Sequence, residues 1–174
     1  MNSGATERRR LSAVVPRPRV LVIGFGNSLR GDDAVGPIVA EAVQAESWSA
    51  AQVEVLGCQC LTPDLVEPLR GADRAIFLDA SVDGPAGEVV CRRLAPTAAR
   101  PAQASHVTAV AGLLGLVQQL YGSTPEAFLI SIRGECFDLA DRALSPTVAA
   151  AIPRMVDKVR GLVRTACQTG RGTR

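Results

Sequence analysis

The sequence predicts an α/β domain: three layers, with a mostly parallel, twisted sheet of about five strands between helices on both faces. Three observations carry this. Short apolar runs rich in β-branched residues, too short for helices, alternate along the chain with longer stretches whose apolar residues recur at helical spacing. One run, Ala75-Ile76-Phe77-Leu78, is apolar throughout, as a strand buried on both faces should be. Hydrophobic residues make up 47% of the 174-residue chain and aromatics only 3%, so the core must be aliphatic. That length suits one domain, and neither an internal repeat nor a linker divides it.

The first strand is Val20-Leu21-Val22-Ile23, and it runs into the glycine-rich loop Gly24-Phe25-Gly26-Asn27-Ser28-Leu29-Arg30-Gly31. Asp32 and Asp33 follow, at the start of a helix where exposed N–H groups favour carboxylates. Val35, Ile38, Val39, Ala42 and Val43 share one face of that helix, which ends near Glu46, with Pro37 in its first turn. Strand two is Gln52 to Leu56, then a loop, Gly57-Cys58-Gln59-Cys60. Thr62 is placed to cap a short helix that starts with Pro63 and reaches Arg70. The all-apolar third strand delivers Asp79 at its C-terminal end. Gly87 to Leu94 is a fourth strand, expected at an antiparallel edge because Arg92 and Arg93 are adjacent charges. After the Ala- and Pro-rich loop Ala95–Ala104, Ser105 caps a helix opening with His106, with Val107, Val110, Leu113, Leu114, Val117 and Leu120 as its stripe and Gly122 as its stop. Ala127 to Ile132 is strand five. Ser145 caps the last helix, whose buried face is Val148, Ile152, Met155, Val156, Val159 and Leu162, with a kink expected at Pro153.

Residues 1–17, with Arg8-Arg9-Arg10, read as a disordered tail, 18–166 as the domain and 167–174 as a second disordered tail. The net charge is +2 and no basic stripe points to nucleic acid. No apolar run approaches the roughly 20 residues of a membrane span. The stretch Leu11 to Val15 falls short of the about 7–15 residues of a signal-peptide core. Five cysteines, an odd number, fit reduced thiols in a cytoplasmic protein. Cys91, Cys136 and Cys167 read as ordinary thiols.

In open α/β sheets, ligands bind beyond the C-terminal ends of the strands. Asp32 and Asp33, Asp79, and His106 (the chain's single histidine) all fall at that edge. A helix start disfavours imidazolium, so His106 is expected neutral, the form a metal needs. Two carboxylates and an imidazole make a partial shell for a divalent ion. Cys58 and Cys60 lie near the same edge, but C-x-C alone is a weak pattern. A dinucleotide site is disfavoured: the third glycine of G-x-G-x-x-G is replaced by Leu29, and paired acids would repel a pyrophosphate. There is no Walker loop, no G-x-S-x-G elbow and no second histidine for H-E-x-x-H. A Ser–His–Asp triad through His106 stays open, although no serine sits on a recognisable elbow.

The stretch Gly24 to Gly36, with Asp79 on a strand end and Ser105-His106 opening a helix, resembles the hydrogenase maturation endopeptidases, over roughly Val20 to Arg164. Leu144-Ser145-Pro146 also looks like that family's last helix start. The resemblance implies removal of a C-terminal extension from the nickel–iron hydrogenase large-subunit precursor. It implies nickel supplied by that precursor as the metal, no organic cofactor, and Asp33, Asp79 and His106 as its ligands. Asp33 or Asp79 would then act in hydrolysis, and Gly24, Gly26, Asn27, Asp32, Cys58 and Cys60 would contact substrate. Two departures stand out: Cys58-Gln59-Cys60 where many members carry a Gly-Gly-Thr-like loop, and Ala34 where a glycine often follows the acidic pair. Two other readings give the same residues different work: a docking protein that handles nickel without cutting, and a small hydrolase holding its own metal.

Overall fold

The computed structural model describes residues 20–48, 52–97, 106–139 and 143–169. The sheet has five strands: β1 (Val20–Phe25), β2 (Val53–Cys58), β3 (Arg74–Ser81), β4 (Val89–Leu94) and β5 (Glu126–Arg133). Their spatial order is β2-β1-β3-β5-β4, and all neighbours are parallel except β4 with β5. The antiparallel edge expected for the fourth strand is therefore present. The helices are α1 (Val35–Gln44), α2 (Val66–Gly71), α3 (His106–Tyr121) and α4 (Pro146–Thr169).

Side chains alternate across a strand, so each central strand feeds two cores. Val20, Val22, Ile76, Leu78, Ile130 and Ile132 face α1 and α4, where Val39, Val43, Met155 and Val159 meet them. Leu21, Ile23, Phe77 and Leu129 face α2 and α3, against Leu69, Val110, Leu114 and Val117. Both cores are almost wholly aliphatic, as the composition requires. Burying each such side chain stabilises the fold by about 1.5–3 kcal/mol.

Several boundaries differ from the sequence reading. β2 runs on to Cys58, because Gly57 and Cys58 pair with Gly24 and Phe25 of β1 rather than turning away. Asp79 lies within β3, two residues before its end, in register with Ser131 of β5. Short 3-10 turns, Gly31–Ala34 and Pro63–Leu65, precede α1 and α2, and α1 ends at Gln44. Thr62 precedes the second turn in extended conformation but makes no side-chain cap. Leu120 is exposed, one turn beyond where α3 leaves the core. α4 continues through Pro153 to Thr169, so the tail expected from residue 167 begins as helix. The N-terminal tail, the cap residue Ser105 and residues 170–174 lie outside the described residues. Among the described residues no helix is long and apolar enough to cross a membrane.

Candidate active site

The loop after β1 is built by close backbone approach. Gly26 has φ 142°, and a side chain there would collide with the Asp33 carbonyl. Gly24 lets α1 lie directly on β1, since a Cβ would strike the Gly36 carbonyl. Asn27 turns the chain: its Oδ1 accepts from the Leu29 N–H at 2.9 Å, and its own N–H donates to Asp33 Oδ2 at 2.9 Å. The Asp33 carboxylate is thereby aimed from the loop into a cavity of about 430 Å³ at the C-terminal ends of β1, β3 and β5.

Asp79 and His106 line the same cavity. His106 Nδ1 lies 2.6 Å from Asp79 Oδ2, and the ring sits 5.5 Å from that of Phe25. The Asp79 carboxylate is 1% exposed, while the imidazole is half exposed. Asp79 Oδ1 is buried without a hydrogen-bond partner. Burial raises the Asp79 carboxyl above its usual range, the His106 hydrogen bond and charge and the Ala80 backbone N–H pull it back, and the nearby Asp33 charge adds to the rise. His106 is raised in turn, first by the bond to Asp79, against burial, with the charges of Asp79 and Asp33 assisting. The expectation that the helix start keeps His106 neutral is thus reversed: a carboxylate at hydrogen-bond distance favours the imidazolium. With Nδ1 donating to Asp79, Nε2 is the nitrogen left for other chemistry.

The structure brings together Asp33, Asp79 and His106 on one cavity, but among the described residues no three His, Cys, Asp or Glu side chains converge tightly enough to hold a metal ion. His106 and Asp79 are bonded to each other, while the Asp33 carboxylate is tied to the Asn27 N–H.

The residues expected to touch substrate divide. Asp32 does not reach the cavity. It is fully buried, and its oxygens accept from the backbone N–H groups of Glu135 (2.8 Å), Cys136 (3.0 Å) and Ser145 (2.7 Å) and from the Ser145 hydroxyl (3.0 Å). Burial raises its pKa, yet these four donors outweigh burial and hold it below the usual carboxyl value. Gly24 is likewise buried against α1. Gly26, Asn27 and Cys58 line a second cavity, of about 470 Å³, between α1 and the edge strand β2. Burial, with Cys60 and Asp64 adding, pushes the Cys58 thiol up, away from reactive thiolate. Cys60 is exposed two residues on.

Four cavity residues escaped the sequence reading: Arg30, Arg92, Ser131 and Phe137. Arg30 Nε donates to the Phe137 carbonyl at 3.1 Å, tying the β1 loop to the β5–α4 loop. Only the sheet register could have pointed to Ser131 and Arg92, through the rows Asp79–Ser131–Val90 and Leu129–Arg92.

The five-stranded α/β fold has counterparts among solved structures. The hydrogenase maturating endopeptidase HybD from E. coli is similar at TM-score 0.71 and 24% identity, with 85% of this chain and 93% of that chain covered. The [NiFe] hydrogenase maturation protease HycI from Thermococcus kodakarensis gives TM-score 0.68 at 22% identity, covering 84% and 92%. A hydrogenase 2 maturation peptidase from a Thaumarchaeota archaeon gives 0.60 at 27% identity, covering 83% and 97%. No protein-family model matches the chain, and no curated protein sequence matches it significantly. The chain therefore has the fold of the hydrogenase maturation endopeptidases, the family its loop motif resembles.

Proposed function

We propose that this chain is a protease that removes the C-terminal extension of a nickel–iron hydrogenase large-subunit precursor, and that nickel already seated in the precursor is what it recognises. The observation that carries the reading is the buried, unpartnered Oδ1 of Asp79, a residue that lines one cavity with Asp33 and His106. A buried carboxylate oxygen without a donor is costly, and a cation removes that cost. In this reading the ion belongs to the substrate. Asp33, Asp79 and His106 meet it as it arrives, with the Asp79–His106 hydrogen bond exchanged for coordination, and the scissile peptide is carried in beside them. A precursor without nickel lacks that attraction, so coordination energy serves specificity. The fold likeness to structures named as maturation proteases supports the same activity, and the work would be done in the cytoplasm.

One observation favours a second reading of the same residues. A carboxylate bonded to Nδ1 fixes the imidazole with Nε2 outward, the geometry of a base that activates water. Then His106 and Asp79 would hydrolyse the peptide as a pair and nickel would not be required. One experiment separates the two. Purified chain is incubated with precursor loaded with nickel and with precursor lacking it, and the mass of the large subunit is read. Cleavage of loaded precursor alone is the expected result. Equal cleavage of both would transfer the role to the His–Asp pair, and cleavage of neither would leave the docking reading.

A further inference from the structure

The cavity is lined by charges of both signs: Asp33, Asp79, Asp83 and His106, with Arg30 on the loop after β1 and Arg92 on the edge strand β4. Arg92 is exposed, and its guanidinium takes part in no hydrogen bond or ion pair among the described residues. Its neighbours on β4 are differently used. Arg93 pairs with Glu126 at 3.2 Å, and the Cys91 thiol, on the α4 side, feels the charge of Lys158. The second cavity arginine, Arg30, is braced through Nε on the Phe137 carbonyl. Arg92 is thus a guanidinium presented to the cavity with its donors uncommitted, beside the apolar walls of Val107 and Leu129.

The register fixes how far it stands from the acids. Asp79, Ser131 and Val90 form one row across β3, β5 and β4, and Arg92 lies two residues along β4 from Val90. Two strand spacings sideways and two residues lengthwise put the Arg92 backbone roughly 12 Å from that of Asp79. An extended peptide covers that span in about three residues.

We propose that Arg92 is a specificity residue: it binds a carboxylate side chain of the substrate segment about three residues from the peptide bond that is cut. This rests on the proteolytic reading above. A planar guanidinium takes a carboxylate through two parallel hydrogen bonds, and the partly apolar surroundings strengthen the pair. Asp33 and Asp79 repel such a group, which favours its seating on Arg92.

The test measures kcat and KM on nickel-loaded precursor for the native chain, Arg92→Gln and Arg92→Lys, together with Kd for precursor binding by titration. Arg92→Gln raises KM and Kd about tenfold, as loss of a hydrogen bond between charged groups should, and leaves kcat within about twofold. Arg92→Lys restores part of the loss. In a precursor whose acidic residues near the cut are changed to amides, the native chain suffers the same rise and Arg92→Gln suffers none beyond it. Unchanged KM in Arg92→Gln, or losses that simply add, would overturn the proposal. If the native chain binds precursor without cutting it, the proteolytic reading fails, and the Kd comparison alone decides the role of Arg92. Absence of binding would overturn both.

Discussion

Asp32 and Asp79 are the two buried charged side chains among the described residues, at 0% and 1% exposure, and they are treated in opposite ways. Asp32 accepts four hydrogen bonds and is held acidic. Asp79 has His106 and the Ala80 backbone N–H as partners, keeps one oxygen bare, and is pushed toward the neutral form. The first carboxylate is a staple: it pins the β5–α4 loop, whose Phe137 walls the cavity, and holds Ser145, whose hydroxyl caps α4 through the Val148 N–H at 3.4 Å. The second is left short of partners beside a cavity. A saturated buried acid stabilises the fold, whereas an under-supplied one is maintained at a cost that a function must explain.

Replacing each acid tests that division, and the largest effect belongs to Asp79. Asp79→Asn keeps the shape but removes the charge, and should lower the rate of precursor processing by about 10²–10⁴-fold. The thermal midpoint should hold or rise, since a penalised buried charge is gone. A processing rate within threefold of native, or a large fall in thermal midpoint, would make Asp79 a second staple. Asp32→Ala should do the reverse. It orphans four donors and should cost about 3 kcal/mol or more in denaturant unfolding. The sign of its pH dependence follows from its lowered pKa. The stability that Asp32 contributes is present above its unfolded value near 3.8 and is lost as pH falls through the folded pKa. The variant should therefore show a weaker loss of stability in that acid range than the native chain. Ser145→Ala removes one of the four donors and the cap of α4 together, and should cost about 1 kcal/mol by the same measurement.

The two acids also show what a sequence can and cannot disclose. Strand order and helix spacing were legible because alternating aliphatic runs have few ways to bury themselves. The edge position of β4 followed from its paired arginines. The placing of Asp33, Asp79 and His106 on one rim was legible because loops at the C-terminal ends of parallel strands converge. Asp32 was not legible as a staple. Its partners lie more than 100 positions away, in a loop with no periodicity, and adjacent acids look alike until a fold separates them. His106 was misjudged for a related reason. The helix start is visible in sequence and favours a neutral ring, but the stronger influence is a carboxylate 27 residues earlier that only the β3–α3 packing brings to 2.6 Å. Arg92 escaped notice because its face of β4 is set by pairing with β5.

The smallest predicted effect compares the two cavity acids that act on His106. His106 is the chain's only histidine, so its ring titration is a single, assignable signal by nuclear magnetic resonance. Its raised pKa comes first from the Asp79 hydrogen bond and only last from the through-space charge of Asp33. Asp79→Asn should lower the titration midpoint toward the ordinary value near 6.5, and Asp33→Asn should lower it too, but by less. The corresponding stability has a definite sign. A raised histidine contributes below its unfolded pKa, and the contribution is lost as pH rises through the folded value, so both variants should flatten the native chain's loss of stability as pH rises from 6.5. A larger shift from Asp33→Asn than from Asp79→Asn would mean that His106 exchanges partners in solution, with Asp33 rather than Asp79 holding Nδ1.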